Sequence, residues 1–388
     1  AKHNKELAEA EYQVNQKQAV IEKEGIILEG LTVKNSTGDT ELKAGEDYSA
    51  AFDSTTGFLT ITMLAGGKGA AATAIKVSGK VIDPSKVKKE DVIGAVDPST
   101  GAETGAQVIR QVYPRLGIVP GLIIAPGWSQ IPEVGLALAA KAAKINGVYS
   151  AMALLDLDTT KATKYTDTKS VKEESGYTSP FCYPLWPCDR VGEYILAKSA
   201  VAGAMIQYMA SDNEDVPNQS PSNHLLGVGG QCLEDGTEVY LDQDQANTVN
   251  SYGVATAINQ NGYRLWGNYT GAYPASSDAK DIWFAVRRMF SWQGNNFIQT
   301  YFDEVDDPMN NVLVQSVVDS ENIRCSAYAP KYWAGASIEY KSDDNPKTAI
   351  LAGTMKFRQH IAPYTPAQEI VDIIDYDTDT LAAAVGGN

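Results

Sequence analysis

The chain has 388 residues, 44% of them apolar, which is enough to bury a large core and to build more than one domain. Its 48 acidic residues outnumber 32 basic ones, and the resulting charge of −16 repels a phosphate backbone and argues against non-specific nucleic-acid binding. The longest apolar run, residues 195–210, carries Lys198 and Gln207 and falls short of the roughly 20 residues a membrane helix needs, so it reads as a buried helix.

In chain order, residues 1–10 read as the end of an N-terminal helix belonging to the core. From Glu11 the pattern becomes short alternating strands at 12–14, 19–21, 26–33, 47–52, 58–63 and 74–77, separated by Gly25, Ser36-Thr37-Gly38, Gly45, Thr56-Gly57 and Gly66-Gly67. Residues 11–82 are therefore expected to form an inserted antiparallel β module. Past Asp83-Pro84, strands alternate with helices: helix 105–116, strand 122–125, helix 131–145, strand 149–157, strand 181–186, helices 193–209 and 245–259, and strand 263–266. Such alternation predicts an α/β core over 83–274 with a mainly parallel sheet. Residues 275–388 show two long helical patterns, 281–305 and 309–327, then strands at 336–340, 354–360 and 369–376, as expected for an α+β C-terminal domain. The predicted fold class is thus α/β, with the β module inserted and the α+β domain appended.

The most tempting catalytic motif is Met152-Ala153-Leu154-Leu155-Asp156-Leu157-Asp158-Thr159-Thr160. An apolar strand ending in Asp-x-Asp-x-Thr suits a metal-dependent phosphatase, with Asp156 as nucleophile and Asp158 handling the leaving group's proton. Asp306-Asp307, the acidic pair that would have to hold Mg²⁺, follows a helical pattern instead of a strand. A strand-end cap is therefore the simpler reading of Asp156. Gly227-Val228-Gly229-Gly230 lacks the spacing of a phosphate loop. Asp242-Gln243-Asp244 opens no calcium loop, because Asn247 stands at position six and Gly253 at position twelve, and it reads as an acidic helix start.

His3, His224 and His360 are far apart and flank no nucleophile. Cys182, Cys188, Cys232 and Cys325 form no Cys-x-x-Cys pair and read as free thiols. Arg287-Arg288 reads as one ion-paired and one solvated charge. No catalytic, cofactor or metal residues are expected.

Two signatures remain, Gly117-Ile118-Val119-Pro120-Gly121-Leu122-Ile123-Ile124-Ala125-Pro126-Gly127-Trp128 and Gly262-Tyr263-Arg264-Leu265-Trp266-Gly267-Asn268-Tyr269-Thr270. With Tyr48 after Gly45-Glu46-Asp47, Thr100-Gly101-Ala102-Glu103-Thr104-Gly105, the strand ending Asp156-Leu157-Asp158-Thr159, and 352–370, they resemble, in order, the contractile tail sheath proteins of phages, prophages and R-type bacteriocins. Tyr269 stands where many members carry Arg.

The resemblance implies a non-catalytic structural subunit and removes the need for a phosphatase. It also implies partners: other sheath subunits in a helical tube, an inner tail tube protein, and baseplate and tail terminator proteins, without direct nucleic-acid contact or membrane insertion. The implied location is a virion tail assembled in the bacterial host cytoplasm. Strands donated from chain termini to neighbouring sheets would link the subunits. Relatives usually place an extended arm ahead of the equivalent of Ala1-Lys2-His3, so the chain is expected to be a truncated form.

Overall fold

The computed structural model describes residues 3–386 and divides into two compact units, the first ending at Asp91 and the second starting at Val92. In the first unit the strands are β1 (Asn4–Gln13), β2 (Gln18–Ile21), β3 (Ile26–Asn35), β4 (Glu41–Leu42), β5 (Tyr48–Phe52), β6 (Leu59–Met63) and β7 (Ala74–Ile82). They form two antiparallel sheets, ordered β1-β7-β3-β4 and β2-β6-β5. The alternation Leu59-Thr60-Ile61-Thr62-Met63 puts every second side chain into a core shared with Leu7, Ile21, Val33, Ile75 and Val77. Asp47 fixes one corner of this unit, its carboxylate accepting the main-chain N–H groups of Lys43 at 2.9 Å and Lys68 at 2.7 Å.

Residues 1–10 do not form the end of a helix where they are described. Asn4–Gln13 is an edge strand registered antiparallel on β7, from Asn4 opposite Ile82 to Gln13 opposite Ala74. Its Ala, Glu, Leu and Lys favour a helix locally, but that weak preference yields to the ladder β7 offers. The exposed charges Lys5, Glu6, Glu9 and Glu11 suit an edge, where they discourage pairing with a foreign strand.

In the second unit β8 (Leu122–Ile124), β9 (Met152–Asp156) and β10 (Cys182–Leu185) form a parallel sheet in the order β10-β9-β8. Every residue of β9 is buried, which is why it reads as one unbroken apolar run. Ala153 and Leu155 pack with Val134 and Leu138 of the helix Pro132–Ala143, whereas Met152 and Leu154 pack with Ala202 and Ile206 of the helix Lys198–Asp212. The two-residue strand period thus hands alternate side chains to helices on opposite faces.

The remaining strands are β11 (Cys188–Val191), β12 (Tyr194–Leu196), β13 (Gly230–Cys232), β14 (Thr256–Asn259), β15 (Tyr263–Trp266), β16 (Trp333–Glu339) and β17 (Arg358–Pro363). They pair antiparallel as β12-β11-β13, β14-β15 and β16-β17. Among the described residues, parallel pairing in this unit is confined to β8, β9 and β10 and to a bridge between Leu185 and Ala255. The chain is therefore a mixed α/β protein of several small sheets.

Other expected elements need correction. Helix 193–209 starts only at Lys198, because Tyr194–Leu196 pairs with β11. Helix 245–259 is split into the helix Gln243–Ser251 and strand β14. Gly253 separates them with a φ of +71°, where an added Cβ would lie 2.2 Å from the Tyr273 carbonyl oxygen. Helix 281–305 breaks at Trp283, whose extended backbone separates Ala279–Ile282 from Phe284–Thr300. The expected strand 369–376 is absent; that segment is exposed and unpaired among the described residues. Its alternation supplies one face of a strand, but a strand also needs a neighbour for its main-chain groups.

The helices Phe284–Thr300 and Asn311–Ala327 and the β16-β17 hairpin close around Val216, Met289, Cys325, Tyr332 and Trp333. Buried Gln293 and Glu321 are joined at 2.6 Å, and Arg324 completes the network on Glu321. Asn295 ties Phe284–Thr300 to the turn before β9, accepting from Ser150 N–H at 2.9 Å and donating to Ser150 C=O at 2.7 Å. Among the described residues no helix is long and apolar enough to cross a membrane.

Candidate functional site

The C-terminal end of a parallel strand is where α/β proteins commonly place chemistry, so β9 is the first place to look. It ends at Asp156, whose carboxylate is buried and fully engaged. It accepts from Ser129 Oγ at 2.8 Å, Ser199 N–H at 2.8 Å and Ser199 Oγ at 2.5 Å. The Asp156 N–H donates back to Ser129 Oγ at 3.0 Å, and the hydroxyl of Tyr177 donates to Ser129 C=O at 2.5 Å. Ser199 lies in the first turn of the helix Lys198–Asp212, so Asp156 caps that helix and ties it to β9. Burial pushes the Asp156 carboxyl above its ordinary range, against the pull of these hydrogen bonds.

Beside it lies a buried ion pair. Lys198 Nζ donates to Asp189 Oδ1, and both side chains are sealed from solvent. Asp189 Oδ2 has no partner among the described residues, and burial raises the Asp189 carboxyl also.

Asp158 serves a different purpose. Its Oδ1 accepts from the N–H of Thr160 at 2.9 Å and from the Thr160 hydroxyl at 2.6 Å, closing its own turn. The two aspartates a phosphatase would need thus face separate sets of donors. Among the described residues no group of three His, Cys, Asp or Glu side chains is placed to hold a metal ion. Asp306 and Asp307 lie in exposed turns after the helix Phe284–Thr300.

The other singled-out residues also have local roles. Asp242 begins the helix Gln243–Ser251 through a reciprocal cap, accepting from Gln245 N–H at 2.8 Å while Gln245 Oε1 accepts the Asp242 N–H at 3.2 Å. His3 faces Asp91, His224 faces the Ser222 carbonyl and His360 faces Glu339. The four cysteines are free thiols, and burial pushes Cys182 and Cys188 up to about 12, where the reactive thiolate is scarce.

The segment Gly262 to Thr270 is a clasp. Tyr263–Trp266 is β15, Trp266 Nε1 donates to Asn247 Oδ1 at 2.8 Å, and the Tyr183 hydroxyl donates to the Gly267 carbonyl at 2.7 Å. Gly267 has a φ of +151°, and an added Cβ would meet Ala255 Cα at 2.8 Å. Thr270 Oγ1 donates to the Asp281 carbonyl at 2.5 Å. Tyr269 stacks between Tyr273, with ring centroids 3.8 Å apart, and Trp283, at 4.8 Å.

What is left uncommitted is surface. The segment after β17 is held at its start, where the Tyr364 hydroxyl donates to the Pro330 carbonyl at 2.9 Å. Beyond that, Ile370 is 88% exposed and Ile374 87%, which is unusual for two large apolar side chains so close in sequence. On the far side of β16, Asn322 occupies both main-chain groups of Ile338 at 3.0 Å. The outer edge of β17 has no partner strand among the described residues. The sequence pointed to Asp156 but not to Ser129, Ser199, Asp189 or Lys198; the one usable signal was a lysine inside an apolar run.

No protein-family model matches the chain. It is 27% identical over 378 residues to the tail sheath protein of Burkholderia phage BcepMu, an alignment covering 92% of this chain and 76% of that one. It is 23% identical to the tail sheath protein of Escherichia phage P2, covering 72% and 69%. Among solved structures it is similar in fold to the PVC sheath complex of an extracellular contractile injection system in the contracted state. There the TM-score is 0.58 at 17% identity, over 71% of this chain and 76% of the other. The helical sheath of the anti-feeding prophage in the contracted state gives a TM-score of 0.55 at 17% identity, covering 78% of each chain.

Proposed function

We infer that this chain, a member of the contractile tail sheath family, is a structural subunit of a contractile tail sheath. The observation that carries this is likeness along almost the whole length, 92% of the chain, to one phage tail sheath protein. The geometry supports it: Asp156 and Asp158, the side chains from which an enzyme would be built, are occupied by structural hydrogen bonds. We propose accordingly that the subunit performs no catalysis. Incubation with Mg²⁺ and a phosphomonoester should give no turnover above buffer, and hydrolysis abolished by Asp156→Asn would overturn that reading.

We further propose that copies polymerise as a helical tube around an inner tail tube, between baseplate and tail terminator proteins, in a virion tail assembled in the host cytoplasm. Residues 83–274 would serve as the core, organised on the parallel sheet, and 275–388 as an α+β lobe. Contraction would release free energy stored at assembly, through rigid-body rearrangement.

The exposed 369–376 segment supplies a mechanism for linkage. Its alternating apolar side chains and free main-chain groups suit a strand donated to the β17 edge of a neighbour. Electron microscopy of the full-length protein, with the arm that precedes Ala1 in relatives restored, tests the reading: tubes or rings are expected, assembly should be lost on truncation after Pro366, and a monomer under all assembly conditions would refute it.

A further inference from the structure

The buried pair of Asp189 and Lys198 is incomplete as an ion pair. Asp189 lies in the middle strand of the sheet β12-β11-β13, opposite Leu196 on one side and Gln231 on the other. Lys198 is the first residue of the helix that follows β12. Both side chains are 0% exposed, and Lys198 Nζ donates to Asp189 Oδ1. Asp189 Oδ2, equally sealed, has no partner among the described residues.

A buried ion pair offsets the loss of its hydration only when its remaining lone pairs also find donors. Here one carboxylate oxygen is left bare, so the charged form is poorly held. Passing the ammonium proton along the hydrogen bond relieves this, and leaves a neutral amine in contact with a neutral carboxylic acid. Burial acts on the Asp189 carboxyl in the same direction, raising it above its ordinary range.

An amine and a carboxylic acid held together are the reactants of amide formation. In water the condensation fails, because both groups are ionised and solvent reverses it; a sealed site removes both obstacles. Enforced contact supplies the rest, since a fixed pair reacts as if at very high concentration. The Nζ lone pair of Lys198 adds to Asp189 Cγ, one bond away from the oxygen that Nζ already touches. One amine proton moves to the acid's hydroxyl, the C–O bond breaks, and that hydroxyl leaves as water. Atoms and electrons balance with no oxidant, reductant or further reactant. Asp156, the other buried acid at this end of β9, is already taken: its Oδ1 accepts from Ser199 N–H, and its Oδ2 from the hydroxyls of Ser129 and Ser199.

We propose that Lys198 and Asp189 condense into an intramolecular isopeptide bond, releasing one water. The bond closes a ring that runs from β11 through β12 to the start of the helix Lys198–Asp212, and so fastens the β11-β12 hairpin to that helix. It goes beyond the sheath reading and does not depend on it.

Intact mass spectrometry of the purified full chain, denatured after folding, tests the proposal. Wild type should be lighter than its sequence mass by one water, whereas Asp189→Ala and Lys198→Arg should each show their full sequence mass. Trypsin then locates the bond. Without it, cleavage after Lys172, Arg190, Lys198 and Arg264 yields peptides 173–190, 191–198 and 199–264; with it, cleavage after Lys198 is blocked and 173–190 stays joined to 191–264. That branched peptide comes from wild type alone, so it decides the matter even if a variant fails to fold. Wild type at its full sequence mass would show an ordinary ion pair and overturn the proposal. Loss of one water with the three peptides recovered separately would also overturn it, by placing the dehydration elsewhere. Neither result touches the sheath reading, which tube formation in the electron microscope tests on its own.

Discussion

Replacing Asp156 with Ala tests whether the end of β9 is a structural tie. The change removes the acceptor for Ser129 Oγ, Ser199 Oγ and Ser199 N–H. Hydrogen bonds to a charged group contribute about 1.5–3 kcal/mol each, and losing a helix cap costs about 1 kcal/mol. The sum is an upper bound, because the serine hydroxyls can turn toward other acceptors and because the variant no longer buries a carboxylate that desolvation disfavours. The net expectation is a loss of about 2–4 kcal/mol. For a cooperative unit of this size that corresponds to a fall in melting temperature of about 4–8 °C.

Asp156→Asn should lose roughly half as much, since one oxygen still accepts from Ser199 N–H while the amide can donate to the hydroxyls. Asp158→Ala removes only a turn cap and should cost less than about 1 kcal/mol. Thermal and urea unfolding followed by circular dichroism would measure all three. An Asp156→Ala variant within about 0.5 kcal/mol of wild type, or an Asp158→Ala variant as damaged as it, would refute the assignment.

Gly267→Ala should destabilise by about 2–4 kcal/mol, because the new Cβ meets Ala255 Cα at 2.8 Å in a positive-φ conformation; a melting curve unchanged from wild type would contradict this. Lys172, buried and donating to the carbonyls of Tyr252 at 2.8 Å and Tyr273 at 2.5 Å, is pushed by burial from 10.5 to about 8. Between those values the unfolded chain holds a proton the folded chain has released, so this group's contribution to stability rises with pH from about 8 to 10.5. Urea unfolding of wild type against Lys172→Met across that range should show the difference shifting in favour of wild type, and a pH-independent difference would exclude the assignment. Brief trypsin treatment should cut at Lys86, Lys88 or Lys89, near the boundary between the two compact units, before it cuts within β8 to β10; the opposite order would count against separately packed units.

Legibility in the sequence followed how local the cause was. β15 was readable because its turn glycines and apolar residues lie together at 262–267, and β9 because burial on both faces leaves an unbroken apolar run. The failures needed a distant partner. Tyr194–Leu196 looked helical until its pairing with β11 was known, and Asn4–Gln13 has helix-forming composition but lies on β7. Alternation predicts a strand at 369–376, but that pattern fixes which side chains share a face and not whether a neighbouring strand exists. At the candidate site, Asp156 stood out by its position at a strand end. Its partners Ser129 and Ser199 lie 27 and 43 residues away and carried no signal of their own. Arg288 could not be told from Arg287 without knowing that only one of them reaches Asp281.

The paired contact between Asn295 and Ser150 has a mechanical consequence. A side-chain amide that grips both main-chain groups of one residue imitates one rung of a ladder, and its two bonds lie side by side. A pull along the helix Phe284–Thr300 loads them together instead of peeling them apart one at a time, and it reaches the chain two residues before β9 begins. The helix therefore acts as a stiff rod joined to the parallel sheet, so that a displacement imposed at one is delivered to the other without slack. Shortening the amide to alanine would leave both elements folded and introduce play at the joint.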